Sequence, residues 1–437
     1  MEFPIETGIN EEGLQTTRVV TDVINNCNLG CHYCHPNMDG WGGETLPAEQ
    51  IGNIFQAAEE QSMLEVTLTG GEITMHPEFP QIMEATHMLD RTAVSFVTNA
   101  TKITPQIVRE ISNSNVDRVC VSVDGPDAES HNSRRGRNFD TVMDGLRDLQ
   151  ETGKPITVIS VVHKQNYQKM MELSEMLASQ SLADQHHMCA ASYSGAAKRI
   201  YDRFAFDEPE FHALQGMIDG EFDGFKDRGF HVTFNSYWPA TGQRGEGTDP
   251  RTMTLIQFNE QVKDIYAIVR PNGDVRLAAA SWGRETVGNA VVGNLSEENA
   301  SVLFERVDEI YRSGRVRQLP REVEAGHKFL VGPYAVGKTA TNELLADKSA
   351  RIEEMDLSVP IRPLSGLDLL NNPLTDSHLT AFVCQMVSEP ERWRLVHHAT
   401  GVDLLFDRNT SHTTILKPEE TTTLRRLYDE YTALAPS

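Results

Sequence analysis

Arg18-Val-Val-Thr-Asp-Val-Ile-Asn-Asn-Cys27-Asn-Leu-Gly-Cys31-His-Tyr-Cys34 runs from a short apolar segment straight into three cysteines spaced C-x3-C-x2-C. The segment Arg18 to Ile24 reads as a β-strand, which places the cysteines on the loop at its carboxyl end. Three thiolates on one tight loop can reach a single soft metal centre. They are one ligand short of the four cysteines that usually hold an iron–sulfur cluster. A cluster bound there keeps one iron open to a ligand that is not protein. The competing reading is a structural zinc site with His32 or His35 as the fourth ligand.

Outward from this loop the pattern repeats. Leu64 to Thr69 alternates as a strand and ends in Gly70-Gly71-Glu72, after a helical period that begins near Leu46. Helical and strand patterns then alternate: helix Phe79 to Leu89, strand Ala93 to Val97, helix from Pro105, strand Arg118 to Val123. They continue with helix Phe139 to Thr152, strand Ile156 to Val162, helix Tyr167 to Ala178 and strand His187 to Ala191. Strands alternating with helices predict an α/β fold on a parallel sheet, here a partial (β/α)6 TIM-like barrel. Chemistry on such sheets collects at the carboxyl ends of the strands. Thr98, Asn99, Ser122 and Asp124 fall there, as do the three glycine-motif residues. Cys120, among valines, and Cys189, on the sixth strand, read as core.

Composition sets the outer limits. The chain has 437 residues, enough for two or three domains, with 39% hydrophobic and 23% charged residues. A net charge of −24 argues against broad binding to nucleic acid. No run approaches the roughly 18 consecutive apolar residues that would span a bilayer, and the N-terminus lacks the basic and apolar regions of a signal peptide. A soluble, cytoplasmic protein that binds no membrane is expected. Six cysteines in this length make no disulfide framework, and three of them crowd into eight residues.

These residues carry a family resemblance. Cys27/Cys31/Cys34, Thr69-Gly-Gly-Glu72, Val97-Thr-Asn-Ala100, and Ser122-Val-Asp-Gly-Pro126 followed by His131-Asn-Ser-Arg-Arg-Gly136 resemble a radical S-adenosylmethionine (SAM) enzyme over about residues 18–200. The last block resembles the branch that modifies peptides and proteins. The resemblance implies that the three cysteines hold a [4Fe–4S] cluster whose open iron binds SAM. It further implies that Gly70 and Gly71 let the backbone approach the methionine, and that Glu72 anchors its ammonium. Thr98, Asn99, Ser122 and Asp124 join the cofactor site in this reading, Arg135 takes the carboxylate and Tyr33 packs near the adenine. An electron donor such as flavodoxin or ferredoxin is an implied partner.

Three domains are expected: 1–204, the barrel; 205–320, a small α+β extension; 321–437, a C-terminal α/β segment. The extension resembles the SPASM/twitch type, with a hairpin over Ile265 to Leu277 turning at Asn272-Gly273 and Gly-Asn turns near Asn289 and Asn294. It departs from that pattern by containing no cysteine, so no auxiliary cluster is expected. In the last segment Lys328 to Val331 runs into Gly332-Pro-Tyr-Ala-Val-Gly337-Lys338-Thr339, a G-x4-G-K-[ST] phosphate-loop pattern. It predicts strand, loop and helix, with ATP on the backbone and Lys338, and Mg²⁺ on Thr339. Asp356 and Asp407 resemble the acids of nucleoside and nucleotide kinases. Too little chain follows Arg408 for a whole kinase.

The sequence thus points to hydrogen abstraction by a SAM-derived radical. A nucleoside, nucleotide or other phosphorylatable small molecule is slightly favoured as substrate, with a peptide or protein as the alternative. A nucleotide-regulated iron–sulfur protein without catalysis is the third reading.

Overall fold

The computed structural model describes residues 16–34, 43–190, 196–197, 200, 208–235, 265–277, 291–312, 328–332, 335–339, 364–365, 383, 386, 389–397, 403–410, 412–416 and 418–434. Seven strands lie side by side in parallel: β1 (Thr16–Ile24), β2 (Glu65–Gly70), β3 (Ala93–Thr98), β4 (Arg118–Ser122), β5 (Ile156–Val162), β6 (Gln185–Ala190) and β7 (His231–Asn235). Helices fill the connections: α1 (Ala48–Glu60), α2 (Phe79–Ala85), α3 (Pro105–Ser112), α4 (Ala128–Arg135), α5 (Phe139–Gln150), α6 (Met170–Ser179) and α7 (Glu208–Asp227). The helices form because their apolar residues recur on one face. In α1, for example, Ile51, Ile54, Phe55, Ala57 and Ala58 are buried together. One continuous core joins them to the outward face of the sheet.

The sheet is wider than the six strands expected. β7 continues it beyond β6, with His231 opposite Gln185. On the other side β8 (Ile265–Val269) pairs in parallel with β1, and the antiparallel β9 (Asp274–Leu277) and β10 (Val291–Asn294) follow. The hairpin expected at Asn272-Gly273 is present as β8–β9, with Gly273 at φ +84. Helix α8 (Ala300–Arg312) packs back on α1. Phe230, Val232, Phe234, Ala267 and Val269 are buried, and sharing one sheet lets them share one core.

The C-terminal segment differs most from expectation. β11 (Lys328–Gly332) and β12 (Ala335–Thr339) form an antiparallel hairpin, with Gly332 opposite Ala335 and Leu330 opposite Gly337. Gly332, Gly337, Lys338 and Thr339 are therefore strand residues. A phosphate loop needs its N–H groups gathered at a helix N-terminus, whereas Lys338 and Thr339 sit in an extended ladder opposite Phe329 and Lys328. The physical reason is readable afterwards: a Gly-Pro turn signal separates two apolar runs, which is also the pattern of a hairpin. The two-residue β13 (Leu364–Ser365) pairs with β7. Asp356 and the predicted helix at 340–346 lie outside the described residues.

Further on, β14 (Trp393–His397), β15 (Asp403–Asp407) and β16 (His412–Leu416) make a separate antiparallel sheet, covered on one face by α9 (Pro418–Leu434). Its other face closes the amino-terminal end of the barrel. Val396, Leu404 and Phe406 pack on Leu64 and Ala93. Arg394 is buried and donates to the carbonyls of Met63 (2.7 Å), Arg91 (2.8 Å) and Ser62 (3.1 Å). Arg408 reaches Asp117 at 3.0 Å and the Asp90 carbonyl at 2.7 Å. Asp407 is not an open nucleotide-site acid. Its carboxylate accepts two hydrogen bonds from Arg392, each 2.8 Å, and others from Asn409 N and Thr410 Oγ1.

Candidate functional site

At the carboxyl end of β1 the backbone is clamped before the cysteines begin. Gly71 N donates to Ile24 O at 2.6 Å and Glu72 N to Asn26 O at 2.9 Å. A Cβ on Gly71 would lie 2.0 Å from Asn26 O, and one on Gly70 would lie 2.4 Å from Ile24 O. Gly70 also holds φ +131, a conformation that favours glycine. The two glycines are thus required by backbone meeting backbone. That contact sets where the Cys27 loop departs from the sheet.

The loop then wraps over the barrel mouth. Cys34 N donates to Cys31 O at 3.1 Å, and His32 N to Arg134 O at 3.0 Å. Cys27, Cys31 and Cys34 are all half-buried free thiols. Burial pushes Cys27 up to about 11, and burial together with the charges of Cys31 and Cys27 pushes Cys34 up to about 12. Burial also raises Cys31, while the neighbouring Arg135 guanidinium opposes the rise. Three crowded, desolvated thiols resist ionising together unless a metal centre compensates them. The donor set therefore suits an iron–sulfur cluster. His32 is exposed, and His35 lies outside the described residues.

Glu72 is fully buried and already occupied. It accepts from Thr98 Oγ1 (2.6 Å), Asn99 N (2.7 Å), and Thr74 Oγ1 (2.7 Å) and N (3.2 Å). Burial raises its carboxyl above the ordinary glutamate range, and the four donors oppose that rise. It braces the end of β2 against the end of β3. Asn99 carries the brace onward, since its amide donates to Asn28 Oδ1 at 3.0 Å and to Cys27 Sγ at 3.8 Å.

Asp124 is the second buried acid. It accepts from Tyr33 OH, from Arg135 Nε (2.7 Å) and from Val161 N (2.9 Å). The Arg135 guanidinium also lies over the Tyr33 ring, 5.3 Å from its centroid. Tyr33, Asp124 and Arg135 therefore form one assembly beside Cys31 and Cys34; burial would lower Arg135, but the Asp124 carboxylate raises it. Ser122 is buried at the end of β4. The sequence reading quoted His131 within a motif but gave it no role, and its Nδ1 accepts from Asp124 N at 3.2 Å; the reading missed Asn166, which donates to Asp124 O at 3.0 Å. It also missed Asn28 and Thr101. Only their position just beyond strand ends could have pointed to them. Cys120 is buried, as expected of core; Cys189 is half-buried, its thiol pushed up to about 12 by burial and the Asp124 charge.

Known proteins are similar to this chain over its parallel-sheet region. Residues 21–177 match the sequence model of the Radical SAM superfamily. Mycofactocin maturase MftC of Mycolicibacterium smegmatis is 29% identical over 174 residues, covering 38% of this chain and 43% of that protein. A relative named Probable GTP 3′,8-cyclase, from Sulfolobus acidocaldarius, is 27% identical over 177 residues, covering 40% of this chain and 56% of that protein. The chain thus matches about half the length of these curated relatives. Among solved structures, Streptococcus suis SuiB bound to S-adenosylmethionine superposes with a TM-score of 0.51 at 18% identity, over 66% of this chain and 65% of that one. Native anSMEcpe with bound AdoMet gives 0.50 at 15%, over 67% and 82%. At such identities the likeness is one of fold.

Proposed function

We propose that the radical SAM domain at residues 21–177 makes this chain an enzyme that abstracts hydrogen from its substrate. Cys27, Cys31 and Cys34 would hold a [4Fe–4S] cluster, with SAM on the open iron. When bound, cluster and SAM together supply a 5′-deoxyadenosyl radical, with the electron drawn from a donor such as flavodoxin or ferredoxin. The observation that carries the reading is the clamp of Gly70–Glu72 on Ile24 and Asn26, which sets three cysteines over the carboxyl ends of the strands. The protein's own part is positional. Glu72 and Asn99 fix the loop from one side, and the Tyr33–Asp124–Arg135 assembly fixes it from the other.

For the substrate we propose a peptide or protein. The preference for a nucleotide rested on the phosphate-loop pattern and the kinase-like tail; Gly332 and residues 335–339 lie in a hairpin ladder, and the Asp407 carboxylate is held by Arg392. The Ser122–Gly136 block, which resembles the peptide-modifying branch, folds as one hydrogen-bonded unit in which His131 and Arg135 both engage Asp124. The relative named for GTP cyclisation keeps a nucleotide as the second reading.

The test is anaerobic. Reconstituted protein with SAM and dithionite should form 5′-deoxyadenosine, and Cys27→Ser, Cys31→Ser and Cys34→Ser should each form none. An intact cluster that yields no 5′-deoxyadenosine overturns the enzyme reading. Deuterium transfer into 5′-deoxyadenosine from deuterated peptides, and not from deuterated nucleotides, would decide the substrate class.

A further inference from the structure

Asn99 sits in a closed network that dictates which way its amide faces. Its Oδ1 accepts from Thr101 N at 3.0 Å and from Thr101 Oγ1 at 2.5 Å. A backbone N–H can only donate, so the oxygen must lie on that side. The NH2 group is left facing the cysteine loop, where it donates to Asn28 Oδ1 at 3.0 Å and Cys27 Sγ at 3.8 Å. Asn28 closes the ring by donating to Thr101 Oγ1 at 2.7 Å. The Asn99 backbone is fixed separately, by its N–H on Glu72 at 2.7 Å. The Asn99 side chain is buried, which limits water's access to its own bonds, while the Asn28–Thr101 bond that closes the ring is exposed. Cys27 Sγ receives a second donor, Leu29 N, at 3.4 Å.

From this geometry we infer that Asn99 is a positioning residue of the cluster: it orients Cys27 and raises the cluster's reduction potential through an N–H···S hydrogen bond. The inference rests on the proposal that the three cysteines hold a cluster. Reduction adds negative charge that spreads onto the cysteine sulfurs, and a donor aimed at one of them stabilises the reduced state more than the oxidised one. Asn99 is thereby committed to the protein side of the site, distinct from a direct contact to SAM.

The test is an EPR-monitored redox titration of the full-length holoprotein without SAM, with SAM affinity measured separately. Asn99→Leu removes the donor without adding charge, and should lower the reduced-to-oxidised ratio at fixed potential several-fold. Asn99→Asp replaces the donor with an acceptor, and should lower the ratio about tenfold, equivalent to 59 mV for one electron. Asn99→His restores a ring N–H and should recover part of the loss. Asn99→Ser serves where leucine does not fit. SAM affinity should change less than the potential does. Variants that assemble a cluster and titrate with wild-type midpoints overturn the inference, as does an affinity loss with an unmoved midpoint. A wild-type protein that assembles no cluster, or forms no 5′-deoxyadenosine, overturns the functional proposal instead, so the two failures are distinguishable.

Discussion

The two ends of the barrel are built from the same strands and handle buried charge in opposite ways. At the amino end Glu65 lies between Arg18 and Arg118, with Ser95 also donating to it, and the Arg18 guanidinium stacks 5.1 Å from the Phe406 ring centroid. The C-terminal sheet seals that end, and each of these charges is paired within the protein. At the carboxyl end the acids are also saturated, but three thiols remain crowded, half-buried and pushed toward their neutral form. One end is complete as folded. The other presents three thiols that the proposed cluster would compensate. On the proposed function, stability and chemistry are separated along the strand axis.

The largest break in this comparison should come from Glu65→Ala. The carboxylate is 2% exposed, and its removal takes away the acid shared by two guanidiniums that are 9% and 7% exposed. Breaking a buried pair in this way costs about 3–5 kcal/mol. Denaturant unfolding should show a lower midpoint with an unchanged slope, while protein that stays folded keeps its cluster content. A loss below about 1 kcal/mol would mean the amino end behaves as a solvated surface.

Gly71→Ala tests the other end. Its Cβ would meet a backbone oxygen at 2.0 Å, which cannot rotate away, so the start of the cysteine loop must move. Overpacking of this kind costs about 1–3 kcal/mol. The sharper readout is iron content after reconstitution, which should fall. Gly153→Ala is the matched control. It has φ +69 but nothing within 4 Å of the new Cβ, so it should lose about 1–2 kcal/mol and keep its iron. Equal iron in both variants would detach the glycine clamp from the cluster site.

Legibility followed the same division. The cysteine loop, the strands and the Asn272-Gly273 turn are written in neighbouring residues, so period and spacing reveal them. Gly70 and Gly71 were visible as glycines, but their reason was not, because it depends on Ile24 and Asn26 across the sheet. Glu72 took its role as a ligand anchor from the family resemblance; its bonds to Thr98 at the end of β3 and to Asn99 just beyond it reach across the sheet, so spacing did not reveal them. The amino-end seal was invisible, since Arg394 and Arg408 act on carbonyls and an acid about 290 to 330 residues earlier. Gly332 and residues 335–339 lie in a hairpin ladder that the phosphate-loop pattern did not reveal, because it specifies residue types without specifying the backbone conformation they adopt.

The smallest effect should be an acid step confined to the amino-end seal. Asp407 is 5% exposed and held by Arg392, which depresses its carboxyl below the ordinary 3.8. A depressed carboxyl contributes stability that is fully present above its unfolded value and is lost as pH falls through its folded one. The seal should therefore hold at pH 5 and loosen below about 4, where pepsin should begin to cut within β14–β16. Asp407→Asn keeps the shape but gives up the charge-assisted bonds, at a cost of about 1.5–3 kcal/mol. That variant should be cut faster at pH 5 and show a smaller further increase on acidification. If wild type and variant accelerate equally between pH 5 and pH 3, other carboxylates govern the acid response and the Arg392–Asp407 pair does not hold the seal.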